Sequence, residues 1–190
     1  MRILVTGATG FIGFNVAKAL KNAGHDIVAA ARSAEEWKKK SSAFEWISCD
    51  FQRDINSSDW LPRLSGIDVV INAVGIIHES ASQTFQQVQT ETPKALFQAA
   101  SDLGLKVIQV SAMGADNPLV TVPFLKTKQE ADNFLQTLPM ESVVVYPSIV
   151  IGRGGTSTAL FNQMAAMPVT PLIGDGTQML NPIHIEIGRA

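Results

Sequence analysis

Three glycines near the start of the chain have the type and spacing to bind a phosphate group. Gly7, Gly10 and Gly13 lie three residues apart, between the β-branched run Arg2–Thr6 and the helically spaced apolar residues of Phe11–Lys21. At such a strand-to-helix turn, backbone N–H groups and the positive end of the helix dipole converge on one point. The spacing therefore predicts a site for the pyrophosphate of a dinucleotide, with a purely structural glycine turn as the alternative.

The residues from Thr6 to Gly13 resemble the cofactor motif of extended and atypical short-chain dehydrogenases/reductases. Within that family the chain is most similar to the NAD-dependent epimerase/dehydratase-like group, which includes the NADPH-binding accessory subunit of respiratory complex I. Four of the positions that the resemblance marks have simpler interpretations, because Asp50 suits a turn after a strand and 73–75 suit tight packing. The resemblance implies cofactor-binding roles for Gly7, Thr9, Gly10, Phe11, Ile12, Asp50, Ala73, Val74, Gly75, Lys128 and Pro147.

The end of the second expected strand indicates which dinucleotide is bound. It reads Ala29-Ala30-Ala31-Arg32-Ser33, without the carboxylate that would accept hydrogen bonds from the ribose 2′-hydroxyl of NAD. The guanidinium of Arg32 suits a 2′-phosphate by its charge and its fork of donors. We therefore expect NADP(H) to be preferred and NAD(H) to be possible, with an ordinary surface arginine as the alternative.

Catalysis in the resembled family needs a Ser, a Tyr and a Lys, with the Tyr four residues before the Lys on one helical face. Ser111 and Lys128 match by position and are the predicted catalytic residues, but Phe124 stands where the Tyr would be. Phenylalanine has no proton to exchange. The single tyrosine, Tyr146, better suits a core or cofactor-wall position. Ser111, Thr121 and His78 are the other candidate proton donors, although an ordinary capping or surface role explains each of them better.

Two functions follow from this pattern. The first is an NAD(P)(H)-binding oxidoreductase, similar to epimerases and dehydratases, that acts on a small-molecule substrate with water or substrate replacing the missing phenol. The second is a non-catalytic NADPH-binding redox sensor or assembly scaffold, which the phenylalanine at position 124 favours.

The elements that must position these residues alternate along the chain. Short apolar strands are expected at Arg2–Thr6, Asp26–Ala31, Phe44–Ser48, Ile67–Ala73, Leu105–Val110 and Ser142–Tyr146, with helices between them, including Ser58–Leu64, Thr84–Leu103 and Phe124–Leu138. Strands that are apolar on both faces belong to a parallel sheet covered on each side. The pattern predicts an α/β, doubly wound Rossmann fold with a mostly parallel sheet and helices on both faces.

Two segments are expected along the chain. Residues 1–150 form the NAD(P)-binding Rossmann domain, and residues 151–190 form a partial substrate-binding segment. The glycine-rich loop 152–157 could present N–H groups to an anion, although a flexible loop before a helix explains it more simply. Because Glu186-Ile187-Gly188-Arg189 departs from the resembled family's pattern, we expect a truncated substrate region.

Composition excludes several classes of protein. The net charge of −2 disfavours a nucleic-acid-binding surface, and 46% hydrophobic residues exclude a disordered chain. The single cysteine, Cys49, excludes an intrachain disulfide, and three isolated histidines predict no metal site. No apolar run reaches the roughly 18 residues of a membrane span, and we expect a cytoplasmic protein. The resemblance further suggests a homodimer paired through the helices Thr84–Leu103 and Phe124–Leu138.

Overall fold

The structure is a computed structural model that describes residues 1–169, 175–177 and 179–186. The chain divides into two compact units, Met1–Tyr146 and Pro147–Ala190. Three of the four residues behind the expectation of a truncated substrate region, Ile187, Gly188 and Arg189, lie outside the described residues.

The first unit is built on one parallel sheet of six strands. The strands are β1 (Arg2–Thr6), β2 (Asp26–Ala31), β3 (Glu45–Ser48), β4 (Val69–Asn72), β5 (Lys106–Val110) and β6 (Ser142–Val145), and their order across the sheet is β3-β2-β1-β4-β5-β6. This order changes direction at β1, and loops at the carboxyl ends of β1 and β4 flank the crevice where doubly wound folds bind ligands. The predicted fold class is confirmed.

Helices cover both faces of the sheet. They are α1 (Phe11–Asn22), α2 (Ala34–Lys40), α3 (Ser57–Trp60), a 3₁₀ turn (Leu61–Leu64), a π-helical turn (Gln86–Glu91), α4 (Thr92–Asp102) and α5 (Pro123–Thr137). Alternate strand residues enter two separate cores: Leu4 and Val70 belong to one, whereas Val5 and Ile71 belong to the other. Both cores are apolar because both faces of the sheet are covered.

Two predicted helices are interrupted in the structure. The helix expected over Ser58–Leu64 changes from α to 3₁₀ at Leu61, and the helix expected over Thr84–Leu103 begins as a π-helical turn before α4. A proline explains each change, because Pro62 and Pro93 lack the N–H that would bond to the carbonyl four residues earlier. In an α-helix the carbonyl of Gln89 would accept a hydrogen bond from the N–H of residue 93. Because Pro93 has no N–H, the wider turn lies at Gln89.

The second unit contains two short paired strands and one helix among its described residues. Strands β7 (Val150–Ile151) and β8 (Ile183–His184) pair in parallel, and α6 (Thr156–Ala165) lies between them in the chain. Gly155 is the N-cap of α6, while the hydroxyl of Thr158 accepts a hydrogen bond from the N–H of Gly152 at 2.9 Å. Within the described residues of both units, no helix combines the length and apolar character needed to cross a bilayer.

Candidate functional site

The glycine turn after β1 is pressed against the loop after β4. Gly7 has a φ of +69°, and a Cβ there would stand 2.6 Å from the carbonyl oxygen of Ala73 and 2.9 Å from the nitrogen of Val74. Only glycine meets both demands, a left-handed backbone and this close approach. The structure thus brings together Gly7, Ala73 and Val74, three of the predicted cofactor residues.

The start of α1 offers unpartnered donors to a ligand. Its N-cap is Gly10, which supplies no capping side chain, and the first turn holds no acidic residue. The N–H of Gly10 donates to the carbonyl of Gly7 at 2.9 Å, which closes the turn. The first N–H groups of a helix have no intrahelical acceptor, so those beside Phe11 and Ile12 are available to an anion. Thr9 is exposed at the same turn.

The turn is also close-packed at Gly10. A Cβ placed there would stand 3.3 Å from the oxygen of Gly7. With an uncapped helix start and no carboxylate in the first turn, this turn has the chemistry that a pyrophosphate requires. The residues present therefore fit a dinucleotide.

Two further predicted cofactor residues follow neighbouring strands. Arg32 comes directly after β2 and is exposed, so its guanidinium is open to a ligand. Asp50 follows β3, where its Oδ1 accepts a hydrogen bond from the N–H of Gln52 at 3.0 Å. Asp50 therefore makes the turn that the simpler interpretation of this residue described.

Three polar side chains form a buried chain across the middle of the sheet. The hydroxyl of Thr6 donates to Oδ1 of Asn72 at 2.6 Å, and the amide of Asn72 donates to Oε1 of Gln109 at 2.7 Å. All three side chains are buried at the ends of adjacent strands β1, β4 and β5. The N–H of Val74 also approaches Oδ1 of Asn72 at 3.4 Å, so this chain holds the loop after β4 in place.

Lys128 and Ser111 are the two predicted catalytic residues, and Lys128 on α5 reaches the end of β5, which Ser111 directly follows. The ammonium of Lys128 donates to the carbonyl of Val110 at 3.3 Å, one residue before Ser111. It also stands 3.4 Å from where a Cβ of Gly75 would be. Burial lowers the pKa of Lys128, and the carboxylate of Asp132 partly opposes that change. The structure thus gathers Gly75, Ser111 and Lys128 at one edge of the sheet.

Asp132 completes this cluster and was not among the predicted residues. Its Oδ2 accepts a hydrogen bond from the hydroxyl of Ser111, and the side chain is buried. Burial raises the pKa of Asp132, while the bond from Ser111, the charge of Lys128 and the amide of Gln109 lower it. A sequence signal was present, because an acidic residue four positions after a lysine shares its helical face.

Gln89 is the second residue that the sequence did not indicate. Its amide nitrogen donates to the carbonyl of Phe124 at 3.1 Å and to the hydroxyl of Thr127 at 3.0 Å. Its Oε1 is buried without a hydrogen-bond partner among the described residues, 3.5 Å from the Cβ position of Gly75. Gln89 lies in the π-helical turn, a distortion that is frequent at functional sites.

The aromatic residues at the site are Phe124 and Tyr146. The half-buried ring of Phe124 packs edge-on against Phe85 with centroids 5.9 Å apart, and the ammonium of Lys128 lies 6.0 Å from its centroid. Burial raises the pKa of Tyr146, and the charges of Asp132 and Asp116 raise it further. His78 and Thr121 are exposed.

The second unit has a cavity of its own, and Pro147 is the first residue of that unit. The cavity has a volume of about 630 Å³ and is lined by Arg153, Asn162, His184 and the glycine-rich loop before α6.

Across the described residues, no group of three acidic, histidine or cysteine side chains is arranged to hold a metal ion.

Comparison with known proteins identifies related sequences. Residues 3–186 match the NAD dependent epimerase/dehydratase family. The chain is 27% identical over 191 residues to ceramide reductase of Caulobacter vibrioides, an alignment that covers 99% of this chain and 58% of the relative. It is 26% identical over 194 residues to NADH dehydrogenase [ubiquinone] 1 alpha subcomplex subunit 9 of Arabidopsis thaliana, covering 95% and 46% respectively. The chain thus spans about half the length of these relatives.

Solved structures share the fold. A putative NAD-dependent epimerase/dehydratase from Bacillus halodurans superposes with a TM-score of 0.68 at 25% identity, covering 82% of this chain and 74% of that one. UDP-glucose 4-epimerase from Thermotoga maritima superposes with a TM-score of 0.74 at 16% identity, covering 98% and 70%.

Proposed function

The chain belongs to the NAD-dependent epimerase/dehydratase family, and from this membership we propose that it is an NADP(H)-preferring oxidoreductase that acts on a carbonyl or hydroxyl group of a small substrate. The observation that carries this function is the gathering of the glycine turn, the loop after β4 and the Lys128 ammonium at one edge of the sheet. Lys128 Nζ lies 3.4 Å from the Cβ position of Gly75, so the ammonium is next to the loop after β4.

The chain's own residues have separable roles in binding. The N–H groups at the start of α1 would hold the pyrophosphate, and the loop at Ala73 and Val74 would line the cofactor. The ammonium of Lys128 would donate to ribose hydroxyls, since it already points to this loop and to the carbonyl of Val110. A bound NADPH supplies a hydride to a carbonyl carbon, so a proton must reach the carbonyl oxygen from the protein or from water.

The preference for NADP(H) rests on Arg32. Its side chain is exposed directly after β2, and no carboxylate lies among residues 29–33 to bind a ribose 2′-hydroxyl. A guanidinium pairs with phosphate through two parallel hydrogen bonds. We propose that Arg32 binds the 2′-phosphate of NADPH, and that residues 151–190 contribute to the substrate side of the whole protein.

A second function is favoured by one specific observation. Phe124 occupies the position, one helical turn before Lys128, where a phenol would exchange the proton. General acid–base help is worth about 10²- to 10⁴-fold in rate. A protein that binds NADPH without turnover, as a redox sensor or an assembly scaffold, accounts for this replacement. The name of the complex I relative, which marks it as a subunit of NADH dehydrogenase, is compatible with such a role.

Mass spectrometry of the denatured, freshly purified protein tests dinucleotide binding, followed by fluorescence titration with NADPH and NADH. We expect co-purified or titratable NADPH, bound more tightly than NADH. If the protein binds neither NADPH nor NADH, both functions are excluded. NADPH oxidation with a panel of aldehydes and ketones then separates them, because only the oxidoreductase consumes NADPH when a carbonyl is added.

A further inference from the structure

We propose that Ser111 and Asp132 form a proton relay that replaces the missing phenol, with Ser111 exchanging the proton with the reacting oxygen and Asp132 holding the next one. This inference rests on the proposed oxidoreductase function. It assigns a role to Asp132, which acts through Ser111 and is therefore a positioning and proton-holding residue.

The hydrogen bond between the two side chains is the first step. The hydroxyl of Ser111 donates to Oδ2 of Asp132, and the exposed fractions of the two residues are 4% and 2%. A hydroxyl has one proton and two lone pairs. When Asp132 is the carboxylate, the Ser111 proton is directed to it and the oxygen of Ser111 keeps its lone pairs for the hydroxyl of the alcohol product.

Burial of the second carboxyl oxygen favours the protonated form of Asp132. Its Oδ1 is buried and has no hydrogen-bond partner within the described part of the chain. A buried carboxylate with one oxygen unsatisfied is disfavoured against its neutral acid. The charged or titratable groups that act on Asp132 are Lys128 on α5 and Tyr146 after β6, and the amide of Gln109 on β5 is also near.

The neighbouring contacts place the relay at the reacting edge of the sheet. Lys128 Nζ donates to the carbonyl of Val110, directly before Ser111, and approaches the Cβ position of Gly75 in the proposed cofactor loop. Phe124 presents only carbon and hydrogen beside that ammonium. Ser111 is thus the hydroxyl next to the lysine that the proposed function assigns to the ribose.

The relay conserves atoms and charge in the reduction of a carbonyl. As NADPH delivers its hydride to the carbonyl carbon, the Ser111 O–H bond breaks and its proton forms the new O–H bond of the alcohol. For this step the proton of neutral Asp132 lies on Oδ2, so the hydrogen bond runs from Asp132 to Ser111 and the Ser111 proton faces the carbonyl oxygen. The Asp132 proton passes to the oxygen of Ser111 as the Ser111 proton leaves. NADPH is oxidised to NADP⁺, the carbonyl is reduced, and Asp132 is left as a carboxylate that solvent reprotonates.

An NMR titration of the full chain, labelled with ¹³C at the aspartate carboxyl carbons, tests the proton-holding role without cofactor or substrate. The signal of Asp132 is assigned by its loss in Asp132→Asn. We expect it to titrate above the ordinary value of about 3.9, and to titrate still higher in Ser111→Ala, which lacks the hydrogen bond to the carboxylate. An ordinary or lower pKa, or one that Ser111→Ala leaves unchanged, would overturn the relay.

Reduction of 9,10-phenanthrenequinone by NADPH tests the role in turnover. Asp132→Asn keeps a side chain of the same shape, and we expect it to lower kcat about 10²- to 10⁴-fold with NADPH affinity unchanged. Adding Phe124→Tyr to Asp132→Asn supplies a phenol beside Lys128 and should restore turnover. A merely structural loss would not be restored by that second substitution.

Three outcomes of the turnover experiment would also overturn the relay. They are full turnover in Asp132→Asn, no recovery in the double variant, and no quinone reduction by a wild-type protein that binds NADPH. The third leaves dinucleotide binding intact. Failure to bind NADPH would instead remove the proposed function, and the NMR titration would still report on the buried proton.

Discussion

The ammonium of Lys128 lies 6.0 Å from the ring centroid of Phe124, one helical turn away. The same ring packs edge-on against Phe85, and its backbone carbonyl accepts a hydrogen bond from Gln89. Phe124 is therefore held beside the lysine without a group that exchanges protons. This arrangement separates cofactor binding, which needs the lysine, from proton transfer, which needs a hydroxyl.

Phe124→Tyr should raise NADPH-dependent carbonyl reduction. The added hydroxyl lies on a half-buried ring near a buried ammonium, which favours the phenolate and hence proton exchange. We expect kcat to rise by up to about 10²-fold, since the phenol adds a second proton donor beside the Ser111 relay. Phe124→Leu is the control, and it should leave both NADPH affinity and turnover near the wild-type values. An equal gain in both variants would contradict this account.

Arg32→Ala should weaken NADPH binding selectively. A hydrogen bond to a charged group contributes about 1.5–3 kcal/mol, so we expect the Kd for NADPH to rise about 10- to 100-fold and that for NADH to stay unchanged. Fluorescence titration measures both. Lys39→Ala removes a nearby positive charge in α2 and serves as the matched control. Equal weakening by the two substitutions would indicate a general charge effect.

Gly10→Ala and Gly13→Ala should have different consequences. A Cβ at position 13 would stand 2.2 Å from the backbone oxygen of Gly7, whereas one at position 10 would stand 3.3 Å from it. We expect Gly13→Ala to lower the free energy of unfolding by about 1–3 kcal/mol or more. Gly10→Ala should fold nearly normally and lose at least about tenfold in NADPH affinity. Urea denaturation and titration together decide; unchanged binding by folded Gly10→Ala would argue against a pyrophosphate there.

Cys49 should be inert in the folded protein. Burial raises the pKa of its thiol to about 12 from an ordinary 9.0. Because the thiolate is the reactive form, alkylation by iodoacetamide at pH 8 should be roughly 1,000-fold slower in the native state than in urea. Mass spectrometry of the labelled protein measures this difference, and labelling at the unfolded rate would refute it.

Asp132→Asn should alter the pH dependence of stability. The pKa of Asp132 is raised in the folded state, so the folded protein binds this proton more tightly than the unfolded chain, whose ordinary pKa is 3.8. The wild type is thus most stable relative to Asp132→Asn below about pH 4. That advantage falls as the pH rises through the raised pKa, by about 1.4 kcal/mol for each tenfold difference in proton affinity.

Urea denaturation of both proteins between pH 3 and pH 9 checks the sign. In a Ser111→Ala background, the loss of the stability advantage of Asp132 over the Asp132→Asn variant should move to higher pH. The reason is that the hydrogen bond that lowers the pKa of Asp132 is gone. A wild-type advantage that grows with pH would mean that the folded protein stabilises the carboxylate instead.

Much of the fold could be predicted because its signals are local. The runs Arg2–Thr6 and Asp26–Ala31 are strands with the expected bounds, since a continuous apolar run flanked by turns suits a doubly covered sheet. The glycine turn could also be predicted, because a Cβ at Gly7 or Gly13 would clash with nearby backbone atoms. The helix expected over Thr84–Leu103 was less accurate, since Pro93 changes its hydrogen bonding.

Sequence by itself determined the alternation of strands and helices, the glycine turn and the absence of a phenol four residues before Lys128. Only the tertiary structure decided that Asp132 meets Ser111 and that Gln89 and Lys128 both face Gly75. Those contacts join residues 21, 14 and 53 positions apart in the chain. Periodicity reports which face of an element is buried, whereas the partner on that face depends on strand order and on the packing of α5 and the π-helical turn against the sheet.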